Sequence, residues 1–270
     1  MFLVKFIFPL LILLLGFSCS SEKKTSNDST KKEQEKLIVE KHYDVELLRS
    51  FPHSIDAYTQ GLFYYNDILY ESTGQRGHSS VRKINPDNGE VLELVPLEDE
   101  YFAEGITILD DKLYLITWQS RVGFVYDPQT LQRERTFAFG GEGWGLTDND
   151  SLLIMSNGSN ELRYLNTRTF QIEKTIFIQY RSSNVRGINE MEYVNGSIFA
   201  NIYGDNRIAE IDPDTGEIIA LIDLSFLLKE IENKKNLDVL NGIAYNSKSG
   251  TFYVTGKYWP KMFEIRITEK

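Results

Sequence analysis

A pair of short strand-like segments recurs along the chain, and this repeat limits the available folds more than any other feature. The pairs are Gly61-Leu-Phe-Tyr-Tyr with Ile68-Leu-Tyr-Glu-Ser, Gly105-Ile-Thr-Ile-Leu with Lys112-Leu-Tyr-Leu-Ile-Thr, Gly145-Leu-Thr-Asp-Asn with Ser151-Leu-Leu-Ile-Met, Glu190-Met-Glu-Tyr-Val with Ser197-Ile-Phe-Ala-Asn, and Gly242-Ile-Ala-Tyr-Asn with Thr251-Phe-Tyr-Val-Thr. Each of the first four is followed by a second hairpin, turning at Pro86-Asp-Asn-Gly, Asp127-Pro-Gln-Thr, Asn166-Thr-Arg-Thr or Asp212-Pro-Asp-Thr-Gly. Turn residues between alternating apolar runs are hairpin signals. Four strands per repeat at a period of roughly 40–50 residues predict a β-propeller rather than a sandwich.

The repeats predict an all-β, five-bladed propeller over residues 43–270, and its ends supply a closing test. The fifth unit stops after Lys261-Met-Phe-Glu-Ile-Arg-Ile without an outer strand, whereas Tyr43-Asp-Val-Glu-Leu-Leu-Arg-Ser-Phe51 precedes unit one without a partner. The N-terminal strand is therefore expected to complete the last blade. Ser225-Phe-Leu-Leu-Lys-Glu-Ile-Glu, apolar at helical spacing, predicts a short surface helix before unit five.

In such a ring the first strand of each blade lines the channel and the second returns beside it. Residues entering the first strand and leaving the second then share one channel mouth. The first set is Gln60, Glu104, Trp144, Asn189 and Asn241; the second is Gly74, Trp118, Asn157, Tyr203 and Lys257. Polar channel mouths and gap-filling aromatics are common for purely structural reasons. A single acid among amides, a lysine and large aromatics is nevertheless a site-like composition, and it points to a ligand pocket with Glu104 as its reactive group.

Other chemistries find less support. The formal net charge is −10 and there are no long Lys/Arg runs, which argues against a nucleic-acid groove. The three histidines, His42, His53 and His78, have no metal-pair spacing, and no Ser-His-Asp or Cys-His set can be assembled. Gly140-Gly-Glu-Gly-Trp-Gly145 lacks the lysine and helix of a phosphate loop and reads as the start of a blade. Asp110-Asp111 and Asp148-Asn149-Asp150 read first as hairpin turns and second as calcium ligands, so a structural calcium ion is the one cofactor left room for.

Residues 1–18, with Lys5 ahead of an apolar run from Phe6 to Ser18, form a signal-peptide pattern too short for a comfortable membrane span. The single cysteine, Cys19, follows at the expected cut, and residues 19–42 read as a polar, disordered tether. This arrangement resembles a bacterial lipoprotein signal, although Gly16 and Phe17 depart from its small-residue pattern, which leaves plain secretion open. The expectation is a domain in the cell envelope, touching the membrane only through a lipid on Cys19, or else periplasmic or secreted.

The domain itself resembles the glutaminyl cyclases of the plant and bacterial type. The matching stretches are Tyr58-Thr-Gln-Gly-Leu62, Glu71-Ser-Thr-Gly with Ser79-Ser-Val-Arg82, Tyr101-Phe-Ala-Glu-Gly105, Gly143-Trp-Gly-Leu146, Leu240-Asn-Gly-Ile-Ala and Thr255-Gly-Lys-Tyr-Trp-Pro-Lys-Met-Phe-Glu-Ile265. The resemblance implies a five-bladed propeller that converts the N-terminal glutamine of peptides and proteins to pyroglutamate with loss of ammonia and needs no catalytic cofactor; a monomer is the expectation for the chain. It implies Glu104 as proton shuttle, with Tyr58, Gln60, Phe102, Trp118, Trp144, Asn189, Tyr203 and Lys257 around the substrate. Tyr58 stands where the family usually has phenylalanine, and Tyr203 where the plant enzymes have tryptophan. Rival readings are a non-catalytic propeller that binds a partner or a peptide N-terminus at the same mouth, and a metal-dependent propeller hydrolase, which needs several convergent carboxylates.

Overall fold

The computed structural model describes residues 40–270. The expected leader, Cys19 and nearly all of the 19–42 tether lie outside the described residues. The last tether positions are bound to the propeller: Lys41 Nζ reaches Glu210 at 2.8 Å, and Glu40 pairs with Arg181 at 2.7 Å. Contacts of the propeller thus include residues before Tyr43.

Five four-stranded antiparallel sheets follow one another around a ring. From inner to outer strand, blade 1 comprises Thr59–Tyr65, Ile68–Thr73, Ser80–Ile84 and Val91–Pro96; blade 2 comprises Ala103–Leu109, Lys112–Thr117, Val122–Tyr126 and Arg133–Ala138. Blade 3 comprises Leu146–Asp148, Leu152–Ser156, Glu161–Asn166 and Ile172–Phe177; blade 4 comprises Ile188–Val194, Ser197–Ile202, Arg207–Ile211 and Ile218–Asp223. Blade 5 is Leu240–Asn246, Thr251–Gly256 and Lys261–Glu269, completed by the N-terminal strand Tyr43–Pro52. That strand runs antiparallel to Lys261–Glu269 from Tyr43 opposite Glu269 to Pro52 opposite Lys261, with a bulge at Leu47/Arg49. The ring is therefore closed by hydrogen bonds between its two chain ends, as the unpaired sequence segments predict. The segment Ser225–Glu230 is a 3₁₀ helix rather than an α-helix, with Leu227 buried.

The turns explain why each blade is a meander. Inner hairpins turn at pairs with positive φ, Asn66 (49°) and Asp67 (63°), or Asp110 (52°) and Asp111 (54°). This is the geometry whose twist matches paired strands and which Asn and Asp tolerate. In the outer hairpins an Asp or Asn side chain caps its own turn: Asp127 Oδ1 accepts from the amides of Gln129 (2.8 Å) and Thr130 (2.9 Å), and Asp212 Oδ1 from those of Asp214 (2.9 Å) and Thr215 (3.0 Å). The acidic turn Asp110-Asp111 is thus accounted for by hairpin geometry.

The apolar core lies between blades rather than in one centre. Ile154 and Leu162 of blade 3 meet Ile188, Met191 and Ile198 of blade 4; Val194 and Phe199 of blade 4 meet Ile243 and Phe252 of blade 5. Each fully buried side chain of this size stabilises by roughly 1.5–3 kcal/mol, so every blade depends on its neighbours. At the axis the inner strands are tied by carboxylates. Glu190 accepts from the amides of Ile243 (2.6 Å) and Leu62 (3.2 Å), linking blade 4 to blades 5 and 1, and Glu192 accepts from that of Tyr245 (3.0 Å). Burial holds both carboxyls well above the usual carboxylate range.

Candidate active site

The inner strands do not start as regular ladders. Blades 1, 2, 4 and 5 each carry a register shift in the first residues of the inner strand, at Thr59/Gly61, Ala103/Ile106, Ile188/Met191 and Leu240/Ile243. A bulge re-aims the side chain it carries. Gln60, Glu104 and Asn189 sit within these bulges and face the cavity. In blade 3 the ladder begins later, and Trp144 is held outside it by its amide donating to the Ser156 carbonyl at 3.1 Å. Gly105 and Gly145 allow the convergence: a Cβ on Gly105 would lie 2.2 Å from the Leu146 amide nitrogen, and one on Gly145 1.8 Å from the Asn189 carbonyl oxygen.

A cavity of about 320 Å³ opens at this mouth, lined by Tyr58, Gln60, Phe102, Glu104, Trp118, Trp144, Asn189, Tyr203 and Lys257. These are the nine residues that the family resemblance implies around the substrate, and the fold brings them together. Phe102 stands edge-on to Tyr58 (6.1 Å between centroids) and to Trp118 (5.6 Å), while Trp144 stands edge-on to Tyr203 (6.0 Å). Tyr203 forms the outer lip at 51% exposure, and Glu104 lies at depth with 4%.

Three positions expected at the mouth do not line the cavity. Asn241 is buried and donates to the Thr59 carbonyl at 2.9 Å, fastening blade 5 to blade 1. Asn157 folds into a turn, its Oδ1 accepting from the Ser159 amide (3.0 Å) and hydroxyl (2.6 Å). Gly74 serves by absence of a side chain, since a Cβ there would come within 2.2 Å of the Phe102 ring.

Glu104 and Lys257 perturb one another within a desolvated site. Burial lifts the Glu104 carboxyl well above its ordinary range; Lys257 and a hydrogen bond from Gln60 pull it down, and the negative charge of Glu142 adds to the rise. Burial likewise lowers the Lys257 amine, against the upward pull of Glu104 and Asp238. The Lys257 ammonium lies 4.6 Å from the Tyr58 ring centroid and 5.4 Å from that of Tyr203, so aromatic faces take part of its charge. Asn189 Oδ1 is buried and has no hydrogen-bond partner among the described residues.

Sequence reasoning missed Glu142. Its Oε2 accepts from Trp118 Nε1 (2.8 Å) and Trp144 Nε1 (3.1 Å), and its Oε1 from Gln119 Nε2 (3.2 Å). The signal was present as an acid between glycines, two residues before a mouth tryptophan. Glu190 and Glu192 were missed as well, because their slots face the channel below the mouth.

Among the described residues no group of three or more His, Cys, Asp or Glu side chains is placed to hold a metal ion. A family profile described as glutamine cyclotransferase matches residues 13–267. The chain belongs to the glutamine cyclotransferase family. The chain is 37% identical over 230 residues to a glutaminyl-peptide cyclotransferase of Arabidopsis thaliana, a match covering 84% of this chain and 72% of the plant protein. It also superposes on the crystal structure of Myxococcus xanthus glutaminyl cyclase with a TM-score of 0.78 and 34% identity, over 84% of this chain and 97% of the other.

Proposed function

We propose that Glu104 is the proton shuttle of a glutaminyl-peptide cyclotransferase. The chain is an acyltransferase acting on peptides or proteins that begin with glutamine: the α-amine attacks the side-chain carboxamide, closes a five-membered lactam and expels ammonia. The observation that carries the assignment of Glu104 is a single carboxylate at the floor of a cavity walled by Tyr58, Phe102, Trp118 and Trp144. About 320 Å³ suits one small side chain rather than an extended peptide. Glutamine then enters with its backbone leaving past Tyr203.

The reaction is intramolecular, so the first task is to fold the side chain back until the amine faces the carboxamide carbon; well-oriented reactants gain several kcal/mol this way. The aromatic walls do this. The second task is proton transfer. A free α-amine has a pKa of about 7.7–8.0, so a neutral fraction is present near neutral pH. Attack leaves a proton on the new ring nitrogen, while the departing nitrogen needs one. Glu104 takes the first and delivers it to the second, so the carboxylate is regenerated each cycle. A carboxyl raised by burial is a better acceptor than an ordinary one and is closer in acidity to both nitrogens, which suits transfer in both directions. Lys257 and Gln60 are donors for the developing oxyanion. Asn189 offers its unpartnered Oδ1 to a substrate N–H.

Neither step calls for a cofactor, because amine and amide react within one residue and one carboxyl moves the proton. A strong chelator should leave turnover intact. Incubating the purified domain with a Gln-initiated dipeptide and following ammonia tests the activity, with Glu104→Gln as control. No ammonia from the unaltered protein removes the cyclase reading; unchanged turnover in the variant keeps the activity and removes the mechanism. We further propose that the protein works in the cell envelope, tethered by lipid on Cys19, with a periplasmic or secreted form as the alternative. The apolar run of residues 6–18 and the position of Cys19 support this, and mass measurement of the mature N-terminus tests it.

A further inference from the structure

We infer that Glu142 is a positioning residue that holds two walls of the substrate pocket at a fixed separation by accepting both indole N–H groups on one carboxylate oxygen. The inference rests on the reading of this cavity as the glutamine pocket. Trp118 leaves the second strand of blade 2 and Trp144 precedes the inner strand of blade 3, so the two indoles come from different blades with no backbone element in common. Glu142 Oε2 joins them, at 2.8 Å from Trp118 Nε1 and 3.1 Å from Trp144 Nε1.

The glycine-rich segment that carries Glu142 is built to bring it there. The Gly143 amide donates to the Trp118 carbonyl at 3.0 Å, and the Gly105 amide to the Trp144 carbonyl at 2.7 Å, which fastens the two residues just after Glu142 to blade 2. A side chain on Gly143 would meet the Thr117 carbonyl oxygen at 2.8 Å, so the close approach requires glycine. Arg163 donates to the Gly140 carbonyl at 2.8 Å from blade 3. Gln119 occupies Oε1 at 3.2 Å, leaving Oε2 to the indoles.

A carboxylate is suited to this task because it accepts two donors at one oxygen and makes stronger bonds than a neutral acceptor. Pocket walls grip substrate and transition state alike, so loosening them should raise KM and leave kcat nearly unchanged. This separates Glu142 from Glu104, whose loss should fall on kcat.

The test uses Glu142→Ala and Glu142→Gln. The protein has three tryptophans, and the third, Trp259, donates its indole N–H to the Asp238 carbonyl at 2.9 Å. In a proton–nitrogen spectrum of the free protein, Glu142→Ala should move two of the three indole N–H resonances upfield and leave the third in place. With a Gln-initiated dipeptide, its KM should rise at least about tenfold, the equivalent of one charge-assisted hydrogen bond. Glu142→Gln, which keeps an acceptor oxygen, should recover KM to within about threefold. Unmoved indole resonances, a KM close to that of the unaltered protein, or no recovery in Glu142→Gln would each overturn the inference. The resonances are read without substrate, so a failure of the cyclase reading, seen as no ammonia from the unaltered protein, is distinguishable from a failure of the clamp.

Discussion

Replacing His53 by alanine should destabilise the ring by about 3 kcal/mol near neutral pH, the low end of what it costs to leave a buried charged group short of a hydrogen-bond partner. His53 lies between the closing strand and blade 1 and is 7% exposed, against 0% for Glu71. Its Nε2 is 2.8 Å from Glu71 Oε1 and its Nδ1 is 2.8 Å from the Trp259 carbonyl, so one ring ties blade 1 to blade 5. Thr59 donates to the same carboxylate at 2.6 Å and Arg82 approaches its other oxygen at 3.8 Å, which is why the loss stays near the lower bound. Burial alone would raise the Glu71 carboxyl; His53, Arg82 and Thr59 together outweigh it and leave it below the ordinary range. A carboxyl lowered in the folded state stabilises above its unfolded pKa, and that contribution is lost as pH falls through the folded pKa. The difference between the unaltered protein and His53→Ala should therefore be largest near pH 7 and shrink as pH falls below the ordinary Glu value of about 4.3. Thermal unfolding followed by circular dichroism at pH 7 and at about pH 3 is the assay; at roughly 2–4 °C per kcal/mol for a domain of this size, the neutral-pH difference is about 6–12 °C. A difference under 2 °C, or one that grows on acidification, would falsify the account.

Glu104→Gln should lower kcat by about 10²–10⁴-fold with little change in KM, measured as ammonia release, because it removes proton transfer and keeps the shape. The acidic limb of kcat/KM should lie above the usual carboxylate range, since Glu104 must lose its proton to accept one and burial lifts it. The charged groups facing it act in opposite directions, so Lys257→Gln should move that limb to higher pH and Glu142→Gln to lower pH; shifts of the same sign would refute the electrostatic account. Gly145→Ala should cost both stability and activity, because the added Cβ falls 1.8 Å from the Asn189 carbonyl oxygen and displaces the segment bearing Trp144; a melting curve and KM unchanged from the parent would contradict this.

Much of the site was legible because a repeat turns sequence position into spatial position. Once five meanders share one period, the residue before each inner strand and the residue after each second strand must gather at one mouth. Glu104, Trp118, Trp144 and Lys257 do so. The same rule misplaced Asn241 and Asn157, since it specifies which end of the strand a residue occupies but not where its side chain turns. Local turn chemistry took Asn157, and the contact with Thr59 took Asn241.

Alternation, turn residues and the unpaired terminal strand are local signals, and by themselves they determined the blade count, the closure and the mouth. Tertiary structure alone decided the contacts across blades: His53 with Glu71, Glu190 with the amides of Leu62 and Ile243, and Glu142 with two indoles. Those pairings depend on the distance between blades after the ring has closed. That distance is set by side-chain packing between sheets, which no spacing along the chain encodes.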